Sequence, residues 1–407
     1  MQNTPSALEC MKNLKSKTCE SAYIHIPFCK RKCNYCAFTS LPALNLIDNY
    51  IKKLTIEIKK YYSGVPLKTL YIGGGTPSLL DIKHFKKILS LFKYASNPEI
   101  TVEINPDSAN LNFLNNLYEL GVNRLSIGVQ SFNDDILKAI GRLHTSKRAK
   151  DTVYLAQDVG FKNISIDLIY GLPLPQSLYD STKGAAQNLK LWKEDLKEAK
   201  NLDIQHISLY GLKIEENTPF YKNLPKHLPN DDMQADMYEF AIEYLTPEFK
   251  LYEISNFTRT AFDLSQNAPN KQNYVEPDFT SKHNLNYWNE GEYFGFGLSA
   301  SGFLNGIRYQ NTKNFMEYIE NPCTAKELTE LTKEEKLEET IFLGFRKKEG
   351  INIHNINEKF NIDFNKKFEP QIEKFIKTGH LEQTENGYRL TIKGILISNL
   401  ILSEFLL

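Results

Sequence analysis

The sequence predicts an α/β protein: a partial (β/α)6 barrel of the TIM type, followed by a small carboxy-terminal helical domain. Three observations predict it. Short β-branched or apolar runs alternate with stretches of helical spacing, glycine or polar residues close most of those runs, and the pattern changes late in the chain. Strands alternating with helices of this length imply a parallel sheet. Six units fall short of the eight that close a barrel, so one side is expected to stay open.

In order, the expected strands span 22–26, 69–72, 99–104, 124–129, 163–169 and 206–210. Each is a short run rich in Ile, Val, Leu, Thr or Tyr. Helices are expected over 45–61, 82–94, 113–120, 134–140, 146–159 and 179–200, where apolar residues recur at helical spacing. Residues 1–20 are polar and Lys-bearing and read as a loose tail, and the barrel is expected over 21–250. An accessory region is expected over 251–325: the Asn-, Gln-, Pro- and Asp-rich stretch 256–286 reads as a long loop or insertion, and 291–306 is Gly-rich. Over 326–407, helices precede two short runs around Asn386-Gly387, the preferred central pair of a two-residue hairpin. That domain is expected to be winged-helix-like. With 12 basic and 13 acidic residues from 330 to 407, it is a poor nucleic-acid module.

Basic and acidic residues balance at 49 each, so no overall field points to nucleic acid or an anionic membrane. No run approaches the ~18 apolar residues of a membrane span, and the first 20 residues lack the apolar core of a secretory signal. A cytoplasmic protein is expected, with peripheral membrane association left open.

Six cysteines stand at 10, 19, 29, 33, 36 and 323. Cys29, Cys33 and Cys36 crowd into one loop after the first strand. Thiolates suit zinc or an iron–sulfur cluster. Zinc would need a fourth nearby ligand, and the nearest candidate, His25, lies on the preceding strand. Three thiolates at positions 0, 4 and 7 can instead wrap one face of a [4Fe–4S] cubane and leave its fourth iron for an exogenous ligand. Gly73-Gly74-Gly75-Thr76-Pro77, Glu103, Gln130, Asp167 and Tyr210-Gly211 sit at or near the ends of later strands. In parallel α/β folds those ends share one ligand-binding rim. Taken singly, the glycines could be a tight turn, Asp167 a satisfied structural carboxylate and Arg142 a surface residue.

The C-x3-C-x2-C loop resembles that of the radical S-adenosylmethionine (SAM) superfamily. In that superfamily the amine and carboxylate of SAM chelate the unique iron, and one electron cleaves SAM to a 5′-deoxyadenosyl radical. The runs YIHIPFC, LYIGGGTPS, VEINPD, LSIGVQSF, GRLH and IDLIYGLP closely resemble the coproporphyrinogen dehydrogenases and their relatives over roughly 23–303 plus the carboxy-terminal domain. The resemblance implies SAM contacts from Tyr23, Tyr35, Gly74, Gly75, Thr76, Glu103, Gln130, Arg142 and Asp167. Arg142 would suit a bidentate grip on a carboxylate.

Two relatives separate at one position. Coproporphyrinogen dehydrogenases carry a fourth cysteine two residues after the third, where this chain has Phe38. Radical SAM haem chaperones have phenylalanine there and an HNxxYW signature, matched by His283-Asn284-Leu285-Asn286-Tyr287-Trp288. This resemblance implies haem as a third cofactor with His283 as an iron ligand, and delivery to an acceptor, a respiratory haem protein. The bland alternative makes His283 part of a loop cap anchored by Tyr287 and Trp288. Some members carry a histidine where this chain has Ser301, so that second axial ligand is absent. A catalyst of anaerobic coproporphyrinogen III decarboxylation is the alternative.

Overall fold

The computed structural model describes residues 16–181, 185–260, 278–323 and 325–407. Six parallel strands run side by side in chain order: β1 (Ser21–Ile26), β2 (Leu67–Gly74), β3 (Tyr94–Ile104), β4 (Arg124–Gln130), β5 (Ile164–Tyr170) and β6 (His206–Gly211). Helices cross between them, so the sheet is an open, partial (β/α)6 barrel. Ala22, Ile24, Leu70, Ile72, Val102, Leu125, Ile127, Ile164, Ile166, Ile207 and Leu209 are all buried. The helix Ile47–Tyr61 buries Tyr50, Ile51, Leu54 and Ile58, a stripe at three- and four-residue spacing.

Helix starts follow their caps. Asn110, Asn133 and Thr145 each accept a backbone N–H from the first turn of the helix they open, a contribution of about 1 kcal/mol apiece. The helix expected over 82–94 ends at Leu89, and Tyr94 already opens β3. The helix expected from 179 is described only from Ala185.

Residues of the expected accessory region belong to the barrel sheet itself. β8 (Asn256–Arg259) forms an antiparallel pair with β7 (Phe249–Glu253) and joins the β6 edge, while β9 (Phe294–Phe296) adds a parallel strand beside β1. Most of the expected insertion, 261–277, lies outside the described residues. Of the expected tail, 1–15 also lies outside them, but Ser16 and Cys19 are buried, and the Ser16 hydroxyl donates to Glu292 at 2.5 Å. This anchors the stretch entering β1.

Beyond residue 330 the helix Lys333–Arg346 opens on a Thr332/Glu335 capping box. Phe364, Phe368 and Phe405 pack with ring centroids 4.9 and 5.2 Å apart in this domain's core. The hairpin forms between the strands Leu381–Gln383 and Gly387–Leu390, but its turn differs from expectation. Thr384 donates to the Gly387 carbonyl at 2.8 Å, so Glu385 and Asn386 are the central pair, and neither takes a positive φ. Gly387 is required for a different reason: a Cβ there would sit 2.3 Å from the Ile351 carbonyl oxygen of the paired strand Ile351–Asn352.

Candidate functional site at the barrel rim

The loop after β1 is pinned before its thiols are placed. Leu41 donates to Pro27 at 2.8 Å and Cys29 donates to Leu41 at 3.2 Å, closing the ends of the cysteine segment. Asn34 ties its middle to the Ile140 carbonyl at 3.0 Å. Cys29, Cys33 and Cys36 line a cavity of about 490 Å³ over the carboxyl ends of the strands. Thr76 donates its hydroxyl to Cys29 Sγ at 3.4 Å, and Arg142 Nη1 points at Cys33 Sγ at 3.8 Å. Burial pushes the Cys36 thiol up.

No three His, Cys, Asp or Glu side chains among the described residues close round a single ion. His25, the one candidate fourth ligand, is also engaged. Its Nε2 meets the Thr39 carbonyl at 2.8 Å and is therefore the protonated nitrogen, leaving Nδ1 to accept from Tyr23 at 3.0 Å.

The same cavity is lined by Tyr35, Gly74, Gly75, Thr76, Glu103, Gln130, Arg142 and Asp167, eight of the residues expected around it. The glycines have internal reasons to be glycine. Gly74 takes φ 113° and a Cβ there would strike the His25 ring, and one on Gly75 would lie 2.8 Å from the Phe28 carbonyl oxygen. The tight-turn reading therefore holds alongside the cavity-lining one. Gln130 takes a φ of 71° where the β4–β5 register shifts, a bulge that aims the end of β4 into the cavity.

Two carboxylates line this cavity together. Glu103 accepts from Tyr71 at 2.9 Å and from the Gly74 N–H at 3.0 Å, and burial together with Asp167 raises it to about 7. Asp167 accepts from Ser126 at 3.2 Å and is also raised by burial. Such a pair favours a cationic ligand, which would draw both into the ionised form. Arg142 departs from the expected bidentate grip. Its Nη2 is spent on Asn105 Oδ1 (2.9 Å) and the Gly128 carbonyl (2.6 Å), while its buried Nε has no partner.

Two expected residues are not brought to the cavity. Tyr23 lies behind it, between His25 and Tyr71, with ring centroids 6.1 Å from each. His283 lies at the opposite end of the strands, 1% exposed, in the helix Lys282–Trp288. Its Nδ1 shares a hydrogen bond with Thr69 Oγ1 at 2.8 Å, and its Nε2 another with Tyr287 OH at 2.6 Å. Burial and Arg124 hold it down at about 3, so it is neutral. Both of its nitrogens are thus engaged inside the barrel. Ser301 is exposed at the start of a separate strand, Ser301–Leu304.

Sequence pattern did not single out Tyr71, Asn105, Ser126 and the rim residues Arg31, Lys32 and Lys213. Asn105 follows Glu103 by two, the spacing that returns a strand side chain to the same face, and that was the available signal.

An open parallel barrel with three loop thiols and a glycine turn over one cavity defines the radical SAM class. The model of the radical SAM superfamily matches residues 23–175, and that of the HemN C-terminal domain matches 331–397. The chain belongs to the family of proteins named heme chaperone HemW. It is 36% identical to the Lactococcus lactis member over 95% of this chain and 97% of that one, and 35% identical to the Bacillus subtilis member over 95% and 99%. Its fold matches the structure of Escherichia coli coproporphyrinogen III oxidase (HemN), a radical SAM enzyme, with a TM-score of 0.79 at 22% identity over 98% and 92% of the two chains. No helix among the described residues is long and apolar enough to cross a membrane.

Proposed function

We propose that the chain is a haem chaperone that binds a [4Fe–4S] cluster, SAM and haem, and passes haem to an acceptor, a respiratory haem protein. One observation carries the reading: three thiols and two half-buried carboxylates open onto a single cavity in a chain with Phe38 where the dehydrogenases have a fourth cysteine. The relatives' name supports haem as cargo.

Cys29, Cys33 and Cys36 would hold the cluster, and the cavity would take SAM. Bound together, the two supply one-electron chemistry. The chain's own groups do the rest. Glu103 and Asp167 attract the cationic ligand, and the glycine turn brings backbone close to it. Arg142 offsets thiolate charge at Cys33, and Tyr35 helps exclude water. Phe38, 69% exposed at the mouth, offers an apolar face to a flat ligand. Lys32 and Lys213, on the same rim, offer cations to its carboxylates.

The test is a pair of assays on anaerobically reconstituted protein. The reading expects haem transfer to an apo-acceptor and no product from coproporphyrinogen III with SAM and a reductant. Decarboxylation of coproporphyrinogen III would overturn it in favour of the dehydrogenase.

A further inference from the structure

We propose that His283 is a positioning residue for the SAM cavity, acting through Tyr71 on Glu103, and that it does not bind haem iron. The inference rests on SAM occupying the rim cavity.

The geometry runs from floor to rim without a break. Glu99, four residues before Glu103 on β3, accepts the backbone N–H groups of Lys282 and His283, each at 3.0 Å. Ser281 caps the same helix through the Asn284 N–H. The helix is thereby fixed against β2 and β3, and the His283 ring is fixed in turn by Thr69 and Tyr287. That ring stacks on Tyr71, centroids 5.2 Å apart and planes 26° apart, while Tyr23 packs against Tyr71 at 6.1 Å. Tyr71 is therefore held by His283 and Tyr23, and its hydroxyl is delivered to Glu103 Oε1 at 2.9 Å. The other carboxylate oxygen holds the Gly74 N–H. A change at the floor reaches the cavity in two contacts.

The ring itself is unsuited to iron. A ligating nitrogen needs a free lone pair and space for a macrocycle beside it. Both nitrogens of His283 are hydrogen-bonded, and Tyr71 on one side and Tyr287 on another, at 4.8 Å, fill the surrounding volume.

The experiment measures SAM and haem affinity of the reconstituted full-length protein and three variants. Tyr71→Phe keeps the stack and removes only the hydroxyl, and is expected to weaken SAM about five- to tenfold. It should also raise the pH midpoint of SAM affinity, because Glu103, facing Asp167 and the tyrosine hydroxyls of Tyr71 and Tyr210, loses the donor that favours its ionised form. His283→Ala should weaken SAM by a similar factor, and His283→Gln by less. All three should keep the wild-type haem affinity and haem absorption spectrum. A global packing defect would not shift the pH midpoint, so an unshifted midpoint in Tyr71→Phe counts against the relay. Unchanged SAM affinity in Tyr71→Phe and His283→Ala would overturn the inference, as would loss of haem binding in His283→Gln. Wild-type protein that binds no SAM at all would instead bring down the cavity assignment, and this inference with it.

Discussion

The two ends of the barrel are built from similar residue types and differ in what those residues do. At the rim, three thiols, Glu103, Asp167 and Gln130 open onto one cavity. At the floor, His206 and His283 are more deeply buried than these rim groups, yet every ring nitrogen is engaged: His206 with Ser165 and Tyr252, His283 with Thr69 and Tyr287. Buried polarity alone therefore does not mark a ligand site. Polarity left facing a cavity does, because its desolvation is offset only when something binds.

The largest expected effect breaks the rim. Cys33→Ala should abolish the [4Fe–4S] absorbance and bound iron after anaerobic reconstitution, while the far-ultraviolet circular dichroism stays near wild type. A full cluster spectrum in that variant would remove the rim from the comparison.

Glu103→Gln should weaken SAM about ten- to a hundredfold by calorimetry, since it replaces a charge-assisted contact with a neutral one. In the wild type the sign of the pH effect follows from Glu103 being raised to about 7. Below that value the carboxyl is largely neutral, above it ionised. Affinity for a cationic ligand should accordingly rise roughly five- to tenfold from pH 6 to 7.5, and the rise should be much smaller in Glu103→Gln. The same raised value means that folding stability from this group falls as pH climbs from the ordinary carboxylate range through about 7.

Gly75→Ala tests whether the glycine turn belongs to the fold as well as the cavity. Its Cβ would meet the Phe28 and Ile26 carbonyl oxygens, so a loss of about 1–3 kcal/mol in denaturant unfolding is expected even without ligand. The smallest effect concerns the floor. Thr69→Val should cost about 1–2 kcal/mol of stability by stranding His283 Nδ1, and should leave cluster content unchanged.

Much of the rim was legible in sequence because its signals are local. Cys29, Cys33 and Cys36 fall within eight residues of chain, and the glycine run marks the end of a strand. Strand ends of a parallel sheet must converge, which brought Glu103, Gln130 and Asp167 to the same place on paper. The position of His283 was not legible because its partners, Thr69 and Glu99, are about two hundred residues away and nothing in the hexapeptide says which end of the barrel it closes. The hairpin was found, but its register was wrong by one residue, since Gly387 serves the neighbouring strand at Ile351 and not the turn.

The sequence by itself determined the alternation of strands and helices, the cysteine loop and the rim that those strand ends share. These follow from short-range periodicity and from the fixed handedness of βα crossovers. Only the tertiary structure decided that residues beyond 250 add strands to both edges of the sheet, that Arg142 spends Nη2 on Asn105 and Gly128, and that His283 is buried under Tyr71. Each of these depends on which distant groups meet once the chain is packed, because hydrogen-bond satisfaction is settled across the fold and not along the sequence.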